Sequence, residues 1–306
     1  MHEASTNPAS GGSVNLAAQL AAFRQGHAYN RRTFGGVEWE YIACGHGEQA
    51  LLLLPGGLST GESLYRHLAE LEGEFRIVAP SYATVGTMRE LCDGLAAILD
   101  AEGISAAHVA GGSYGGLVAQ TFVFHHPQRT RSLVLSHTAA PDPKRGAELK
   151  FALRLFALFP ASWTKAAFRA KVRGLLRHPQ LGADERSFLE AYLNESLAQF
   201  TPQALNTAYE RVVDFCRNYP AGAAMWNGPT LILESDDDPA VPPKDRARLK
   251  ANHPNAQVHT FQGTGHLAAV LRLQEYLDVQ RDFWRRAPQL PPPEKPAGSG
   301  SLRAPA

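Results

Sequence analysis

The sequence predicts an α/β fold in which a mostly parallel sheet carries one long helical insertion. Short apolar segments that end in glycine or proline alternate with helical patterns along much of the chain. Such alternation is typical of parallel strands that are buried on both faces and connected by helices. The alternation stops after residue 135, and residues 144–224 show helical patterns with loop signals at Pro160, Pro179 and Pro202. We expect this segment to form a lid over the edge where the strands end, because open α/β sheets bind ligands there.

The composition is that of a globular protein with a core of its own. Hydrophobic residues make up 44% of the 306 residues, which excludes wholesale disorder. The 30 basic and 29 acidic residues nearly cancel, so no basic excess is present to bind a nucleic-acid backbone. Three widely spaced cysteines predict neither a disulfide framework nor a zinc site. We therefore expect no metal and no cofactor.

The two ends of the chain predict tails and a cytoplasmic location. The first residues lack the basic and apolar pattern of a secretory signal, and the apolar segments are too short to span a bilayer. We expect an N-terminal tail or extension over 1–28, a core over 29–141 and 226–286, a lid over 142–225, and a disordered Pro-rich tail over 287–306.

The strands are predicted from short apolar segments. Alternation of Val37, Trp39 and Tyr41 with polar residues predicts a half-buried antiparallel strand near the start. Buried strands are predicted, in order, at 51–54, 77–79, 108–110, 133–135, 231–233 and 258–261. Between them the pattern predicts, among others, helices at 88–99 and 117–125.

A glycine-rich turn between a predicted strand and a predicted helix supplies a candidate nucleophile. Residues 111–116 are Gly-Gly-Ser-Tyr-Gly-Gly and contain the Gly-x-Ser-x-Gly pattern around Ser113. Small residues two positions before and after the serine allow the chain to reverse sharply. The N-terminus of the following helix favours a developing negative charge. The alternative is a glycine-rich helix start that packs closely or binds a phosphate.

A second glycine pair follows the strand at 51–54 and supplies a candidate oxyanion loop. Acyl transfer forms a tetrahedral oxyanion that needs two preorganised donors. We expect one donor to be the backbone N–H of Tyr114, directly after the serine, and the other to be that of Gly57. The alternative for the glycine pair is an ordinary turn. Candidate pocket residues are Gly56, Leu58 and His137.

The base and the acid are predicted from their positions after the last two strands. His266 lies on a glycine-rich turn after the strand at 258–261, and a serine needs such a base to take its proton. Three consecutive aspartates follow the strand at 231–233, and the imidazole needs a carboxylate to orient it. Asp238, which precedes Pro-Ala-Val-Pro, is the candidate acid and Asp236 is the fallback; Asp237 stays open as well.

These motifs resemble those of the α/β-hydrolase fold from about residue 30 to residue 286. The resemblance rests on the Pro-Gly-Gly turn at 55–57, the serine turn at 111–116, the Asp-Pro-Ala-Val-Pro segment at 238–242 and the Gly-Thr-Gly-His segment at 263–266. It implies a largely parallel eight-stranded sheet, with a helical cap inserted after the sixth strand. The chain order of Ser113, Asp238 and His266 is also the order found in that fold.

One departure from the pattern of this fold and one further similarity bear on function. Many members of the fold have His-Gly where this chain has Pro55-Gly56, and a weaker local similarity at 91–95 is to the maspardin group. From the three candidate residues we expect a cofactor-free serine hydrolase that cleaves a carboxylic ester, thioester or lactone with an apolar acyl part. The alternatives are a non-catalytic binding protein similar to maspardin, and a C–C bond hydrolase or acyltransferase that uses the same serine turn.

The predicted lid has an uneven charge. Basic residues dominate 144–178 and acidic residues dominate 184–214. A basic amphipathic helix is a feature that binds anionic membranes, and it also steers anionic substrates. The sequence favours the plainer interpretation of a lid helix that packs on the sheet and keeps a solvated basic face. We therefore expect a small-molecule acyl substrate as the partner and no nucleic acid, with the oligomeric state left open.

Overall fold

An eight-stranded sheet forms the centre of the computed structural model, which describes residues 15–57, 60–156, 158, 161–220 and 226–287. The strands are β1 (Asn30–Phe34), β2 (Val37–Cys44), β3 (Ala50–Leu54), β4 (Arg76–Ser81), β5 (Ala107–Gly112), β6 (Thr130–Ser136), β7 (Thr230–Ser235) and β8 (Gln257–Phe261). Their spatial order is β1-β2-β4-β3-β5-β6-β7-β8. The β1–β2 and β2–β4 pairs are antiparallel and all other neighbours are parallel. The mostly parallel eight-stranded sheet is thus confirmed.

Helices connect the strands and form a separate group after the sixth strand. They are α1 (Leu16–Gly26), α2 (Tyr65–Leu71), α3 (Met88–Ala101), α4 (Tyr114–His125), α5 (Pro143–Phe156), α6 (Ala161–Leu175), α7 (Ala183–Gln199), α8 (Pro202–Asn218), α9 (Pro243–Asn252), α10 (Ala268–Leu271) and α11 (Leu273–Arg286). Helices α5–α8 lie between β6 and β7 in the chain, as expected of an inserted cap. Within the described ranges, no helix combines the length and the apolar character needed to cross a bilayer.

The central strand β3 shows why a continuous apolar segment becomes a doubly buried strand. Successive side chains of a strand point to opposite faces of the sheet. Leu52 and Leu54 pack in the cluster that contains side chains of α3 and α4, whereas Leu51 and Leu53 pack in the cluster formed with α2 and α11. Each leucine is at most 5% exposed, so its truncation to alanine would cost about 2–5 kcal/mol of stability.

Two elements at the start of the chain were not predicted. Helix α1 lies inside the segment at 1–28 that the sequence assigns to a tail or extension, and it buries Leu16, Leu20 and Phe23. Strand β1 pairs with β2 and forms the antiparallel edge of the sheet. Both elements are short, and packing on the core rather than local preference stabilises them. The Pro-rich tail predicted over 287–306 lies, after Ala287, outside the described residues.

Polar contacts at helix ends fix the cap to the core. The carboxylate of Asp214 in α8 accepts a hydrogen bond from the backbone N–H of Met88, the first residue of α3, at 2.8 Å. The first N–H groups of a helix have no partner inside it, so the cap satisfies a donor of the core here. The Arg248 guanidinium of α9 binds the Asp142 carboxylate, just before α5, at 2.6 Å. The inserted segment is therefore bonded to helices of the core near both of its ends.

Candidate active site

Ser113 occupies the sharp turn between β5 and α4. Its backbone has a φ of 52° and lies in the left-handed region that non-glycine residues rarely adopt. Two hydrogen bonds hold this conformation: the Ser113 N–H donates to Ser136 O at 2.9 Å, and the Thr138 hydroxyl donates to Ser113 O at 2.7 Å. Strain of this kind at a strand-to-helix turn presents a side chain at the edge of a sheet.

The glycines around Ser113 are required by close backbone contacts. A Cβ atom at Gly111 would collide with the carbonyl oxygen of Gly115, and one at Gly115 would collide with the carbonyl oxygens of Leu54 and Pro55. The chain therefore reverses tightly enough to bring the start of α4 against the end of β3. This contact places the serine turn beside the loop that the sequence predicts to supply an oxyanion donor.

His266 and Asp238 are hydrogen-bonded to each other. The Nδ1 atom of His266 lies 2.8 Å from Oδ2 of Asp238. The other carboxylate oxygen of Asp238 accepts the backbone N–H of Ala240 at 2.8 Å and that of Val241 at 3.3 Å. Burial alone would raise the pKa of the Asp238 carboxyl, but its hydrogen bond to His266, the charge of that ring and the Ala240 N–H together lower it. The carboxylate is therefore held ionised and oriented toward the imidazole.

The two neighbouring aspartates bind the backbone of the histidine loop instead of the imidazole. Asp236 Oδ1 accepts the N–H of Gly263 at 2.9 Å, and Asp237 Oδ1 accepts the N–H of Gly265 at 2.8 Å. Both glycines have a positive φ, 61° and 55°, which allows the loop to turn back on these carboxylates. Asp236 and Asp237 are exposed, whereas Asp238 is only 4% exposed. The fallback acid Asp236 is thus placed as a support of the loop.

His137 lies beside His266, with the two ring centroids 5.7 Å apart. Its ring nitrogens are hydrogen-bonded to the hydroxyls of Ser136 and Ser235, at 2.8 and 2.7 Å. Burial, with a smaller effect of the nearby His266, lowers the pKa of His137 to about 4. His137 is therefore neutral at physiological pH, and both of its ring nitrogens already have hydrogen-bond partners, which disfavours a role as the base.

The glycine loop after β3 lies against the serine turn. A Cβ atom at Gly56 would stand 3.6 Å from the Gly112 carbonyl oxygen and 4.0 Å from Ser113 Cβ, which are ordinary contact distances. On the other side of the serine, Tyr114 is the first residue of α4, and its N–H has no acceptor inside the helix. The candidate pocket residue Leu58 lies outside the described residues.

Two cap residues that the sequence analysis did not single out for the site approach it. Phe168 of α6 lies against the candidate oxyanion loop, since a Cβ atom at Gly57 would be 3.3 Å from Phe168 Cζ. Arg211 of α8 is 2% exposed, and its guanidinium stands 5.9 Å from the centre of the Tyr114 ring. It donates to Ala83 O at 2.9 Å. Burial raises the pKa of the Tyr114 hydroxyl to about 12, and the charge of Arg211 and its hydrogen bond to that hydroxyl oppose this effect. Among the described residues, Arg211 Nε is buried without a hydrogen-bond partner.

Ser113 and His266, the candidate nucleophile and base, lie in one region but share no hydrogen bond in the part of the chain that the structure describes. Ser113 binds the backbone of Ser136, and the ring of the next residue, His137, contacts that of His266. Within the described ranges, no hydrogen bond joins Ser113 Oγ to His266 Nε2. Such catalytic hydrogen bonds are often long without substrate and tighten only in the reacting complex. The arrangement can thus support nucleophilic chemistry if these two atoms form a hydrogen bond when a substrate binds.

The comparison with protein families decides the affiliation of the chain. Residues 49–272 match the model of the alpha/beta hydrolase fold family. The chain belongs to the α/β-hydrolase fold family. The matched range includes the serine turn, the cap and the histidine loop, so the predicted affiliation is confirmed. The weaker local similarity to maspardin gains no support from the comparisons.

Similar proteins of this family act on small molecules. The chain is 25% identical over 284 residues to a 2-hydroxy-6-oxononadienedioate/2-hydroxy-6-oxononatrienedioate hydrolase of Paraburkholderia xenovorans strain LB400, covering 81% of this chain and 91% of the relative. It is 25% identical over 264 residues to a 2-hydroxy-6-oxo-6-phenylhexa-2,4-dienoate hydrolase of Burkholderia cepacia, covering 78% of this chain and 88% of the relative. The fold superposes on an enol-lactonase from Burkholderia xenovorans LB400 with a TM-score of 0.68 and 18% identity, covering 84% of this chain and 100% of the lactonase.

Proposed function

We propose that this chain is a serine hydrolase that cleaves the carbon–carbon bond beside the ketone of a 2-hydroxy-6-oxo-dienoic acid. The observation that carries the proposal is the Asp238–His266 hydrogen bond beside the strained Ser113 turn, in a chain similar over most of its length to hydrolases of such acids. This proposal replaces ester cleavage, the main expectation from the sequence, with the C–C hydrolase that the sequence left as an alternative.

Each candidate residue has a defined part in the proposed reaction. Ser113 Oγ attacks the ketone carbon while His266 Nε2 takes its proton, and Asp238 orients and stabilises the resulting imidazolium. The backbone N–H groups of Gly57 and Tyr114 hold the tetrahedral oxyanion. The bond breaks in the 2-keto tautomer of the substrate, which forms when the proton of the 2-hydroxyl is lost and the carbon beside the ketone gains one. In that form the electron pair of the broken bond is delocalised through the remaining double bond to the 2-keto oxygen, and the resulting dienolate receives the proton from His266. Water, deprotonated by His266, then releases the acyl group as a carboxylate and restores the serine.

The cap supplies a positive charge for an acidic substrate. Arg211 is buried beneath the cap next to Tyr114, and within the described ranges it forms no ion pair with a carboxylate. A buried guanidinium with an unused N–H is costly unless a ligand pairs with it. We assign Arg211 to the substrate carboxylate and Phe168 to its apolar portion, since Phe168 covers the oxyanion loop.

Hydrolysis of an ester or lactone is the second candidate function. The similarity in fold to an enol-lactonase favours it, and attack on an ester carbonyl uses the same nucleophile and oxyanion donors. The two reactions differ in the leaving group. An ester releases an alkoxide that needs one proton, whereas C–C cleavage needs a conjugated acid that accepts an electron pair.

A substrate panel tests the proposal. The purified chain is assayed with 2-hydroxy-6-oxo-6-phenylhexa-2,4-dienoate, a p-nitrophenyl ester and an enol lactone, and the products are identified by mass spectrometry. We expect kcat/KM for the dienoate to exceed that for the ester on the order of 100-fold. Ser113→Ala should lower it by roughly 10³-fold or more. Preferred turnover of the ester or lactone would favour the second candidate, and binding without any turnover would favour a binding protein.

A further inference from the structure

A cluster of three metal-ligating side chains lies at the opposite edge of the sheet from the candidate active site. His27 follows α1, Cys44 ends β2 and Glu72 follows α2. Their ligand atoms all lie within 4.8 Å of one another, and His27 Nε2 is 2.6 Å from Glu72 Oε2. Cys44 pairs with Ile77 at the beginning of β4, whereas the serine turn follows the end of the parallel strand β5. The cluster is therefore independent of the proposed hydrolysis.

The backbone holds Cys44 and Glu72 together. Gly45 has a φ of 74°, and a Cβ atom there would collide with the carbonyl oxygens of Phe75 and Glu72. Only glycine both adopts this conformation readily and allows the end of β2 to pass so close to the end of α2. The thiol and the carboxylate are thus brought together by the main chain rather than by flexible side chains alone.

His27 is oriented by its other ring nitrogen. Nδ1 lies 3.0 Å from the Phe23 carbonyl oxygen, and the two rings stack with their centroids 4.0 Å apart. Nδ1–H donates to this carbonyl and Nε2–H donates to the Glu72 carboxylate at 2.6 Å, so a metal ion would take the place of the Nε2 proton between the two ligands. The bond from Nδ1–H to a backbone carbonyl is typical of histidines that bind metal ions, because it fixes the direction of the ring.

We propose that the cluster binds one Zn²⁺ ion through Cys44 Sγ, His27 Nε2 and a carboxylate oxygen of Glu72. Thiolate, imidazole and carboxylate are ligands that zinc accepts, whereas Mg²⁺ and Ca²⁺ prefer oxygen ligands alone. The side chains of His27 and Glu72 are 15% and 34% exposed, so water has access to the fourth position. The thiolate and the carboxylate together balance the charge of the ion.

Zinc binding releases protons to the solvent. Burial, followed by the charge and hydrogen bond of Glu72, raises the pKa of the Cys44 thiol to about 12. The thiol is therefore protonated without metal, and zinc displaces that proton when it binds the sulfur as a thiolate. The affinity for zinc should accordingly rise with pH.

The site would join the first helix to the core. Arg24 of α1 forms ion pairs with Glu62 of the core and with Glu195 of α7 in the cap, at 2.7 and 2.6 Å. Zinc at His27 would stabilise the position of α1 and, through Arg24, its contact with the cap. The sequence predicted no zinc site because its ligands come from three separate elements and have no characteristic spacing.

Metal binding to the full chain tests the proposal. We expect isothermal titration with Zn²⁺ to show one site with a Kd of about 1 μM or tighter, and to show tighter binding at pH 8 than at pH 6.5. Cys44→Ser should weaken binding by roughly 100-fold, and Glu72→Gln should weaken it less. The matched control is Cys216→Ser, a buried cysteine of α8 outside the cluster, which should bind like the wild type.

Cobalt spectroscopy separates ligation from weak surface binding. Co²⁺ bound by the wild type should show the near-ultraviolet thiolate charge-transfer band and the visible bands of a tetrahedral site. The Cys44→Ser variant should lose the thiolate band. Circular dichroism verifies that each variant is folded. If Cys44→Ser does not fold, Glu72→Gln still tests the site. Zinc affinity that is equal in the wild type and Cys44→Ser, or a cobalt complex without the thiolate band, would overturn the proposal.

Discussion

Asp238 Oδ2 lies 2.8 Å from His266 Nδ1, while the two aspartates before it bind the backbone of the same histidine loop. The three consecutive carboxylates therefore have two different structural roles. Asp236 and Asp237 hold the loop in position through Gly263 and Gly265, and Asp238 orients the imidazole that the loop carries.

The first prediction concerns this division. Asp238→Asn should lower kcat by roughly 10⁴-fold, because an amide favours the wrong tautomer of His266 and cannot stabilise the imidazolium. Asp236→Asn and Asp237→Asn leave an amide oxygen to accept the backbone N–H, so each should change kcat by less than about tenfold. Steady-state kinetics of the three isosteric variants makes the comparison. If Asp236→Asn lowered kcat as much as Asp238→Asn, the orienting role would not belong to Asp238 alone.

The sequence could predict the sheet and the serine turn because their signals are local. The apolar segment of β3 and the glycines around Ser113 each determine their own conformation. The choice among the three aspartates was harder, since all follow the same strand and only the turn decides which carboxylate reaches His266. Arg211 carried no local signal at all: it lies in an amphipathic helix, and only the packing of α8 on the core buries it beside Tyr114.

The second prediction tests Arg211 as the anchor of the substrate carboxylate. Arg211→Met keeps the aliphatic length but removes the charge, so it should raise KM for a dienoic acid by roughly 10- to 100-fold. KM for a neutral ester should hardly change. The matched control is Arg169→Met, an exposed arginine of α6. If both substrates are affected equally, Arg211 acts on the fold of the cap rather than on the carboxylate.

The third prediction concerns the cap wall at the oxyanion loop. Phe168→Ala removes the ring that covers Gly57, so we expect KM for the preferred substrate to rise about tenfold while kcat changes less. Phe151→Ala, at a 63% exposed position of α5, is the control and should leave KM unchanged. The idea that Phe168 contacts substrate would be rejected if the two variants had the same KM.

The fourth prediction concerns stability at acidic pH. Burial lowers the pKa of His108 to about 4, and the ring is 2% exposed with Nδ1 2.7 Å from the Ser132 hydroxyl. Between pH 6.5 and 4 the unfolded chain binds this proton and the folded chain does not, so the free energy of unfolding falls as pH falls through this range. His108→Gln cannot titrate. It should be less stable than the wild type at pH 7.5 but should lose less stability on going to pH 4.5.

Urea unfolding at both pH values measures this difference. The buried His137 and His253, whose pKa values burial also lowers to about 4, contribute the same trend in both proteins and cancel in the comparison. An equal decrease in the wild type and in His108→Gln would show that His108 does not titrate in this range.

Covalent labelling of the serine tests the central claim most directly. A fluorophosphonate probe reacts with a serine only when a base activates it and donors stabilise the developing oxyanion. We predict that the wild type is labelled stoichiometrically, that peptide mass spectrometry locates the adduct on Ser113, and that Ser113→Ala is not labelled. A folded wild-type protein that resists the probe, or a Ser113→Ala variant that is labelled as well, would contradict the account.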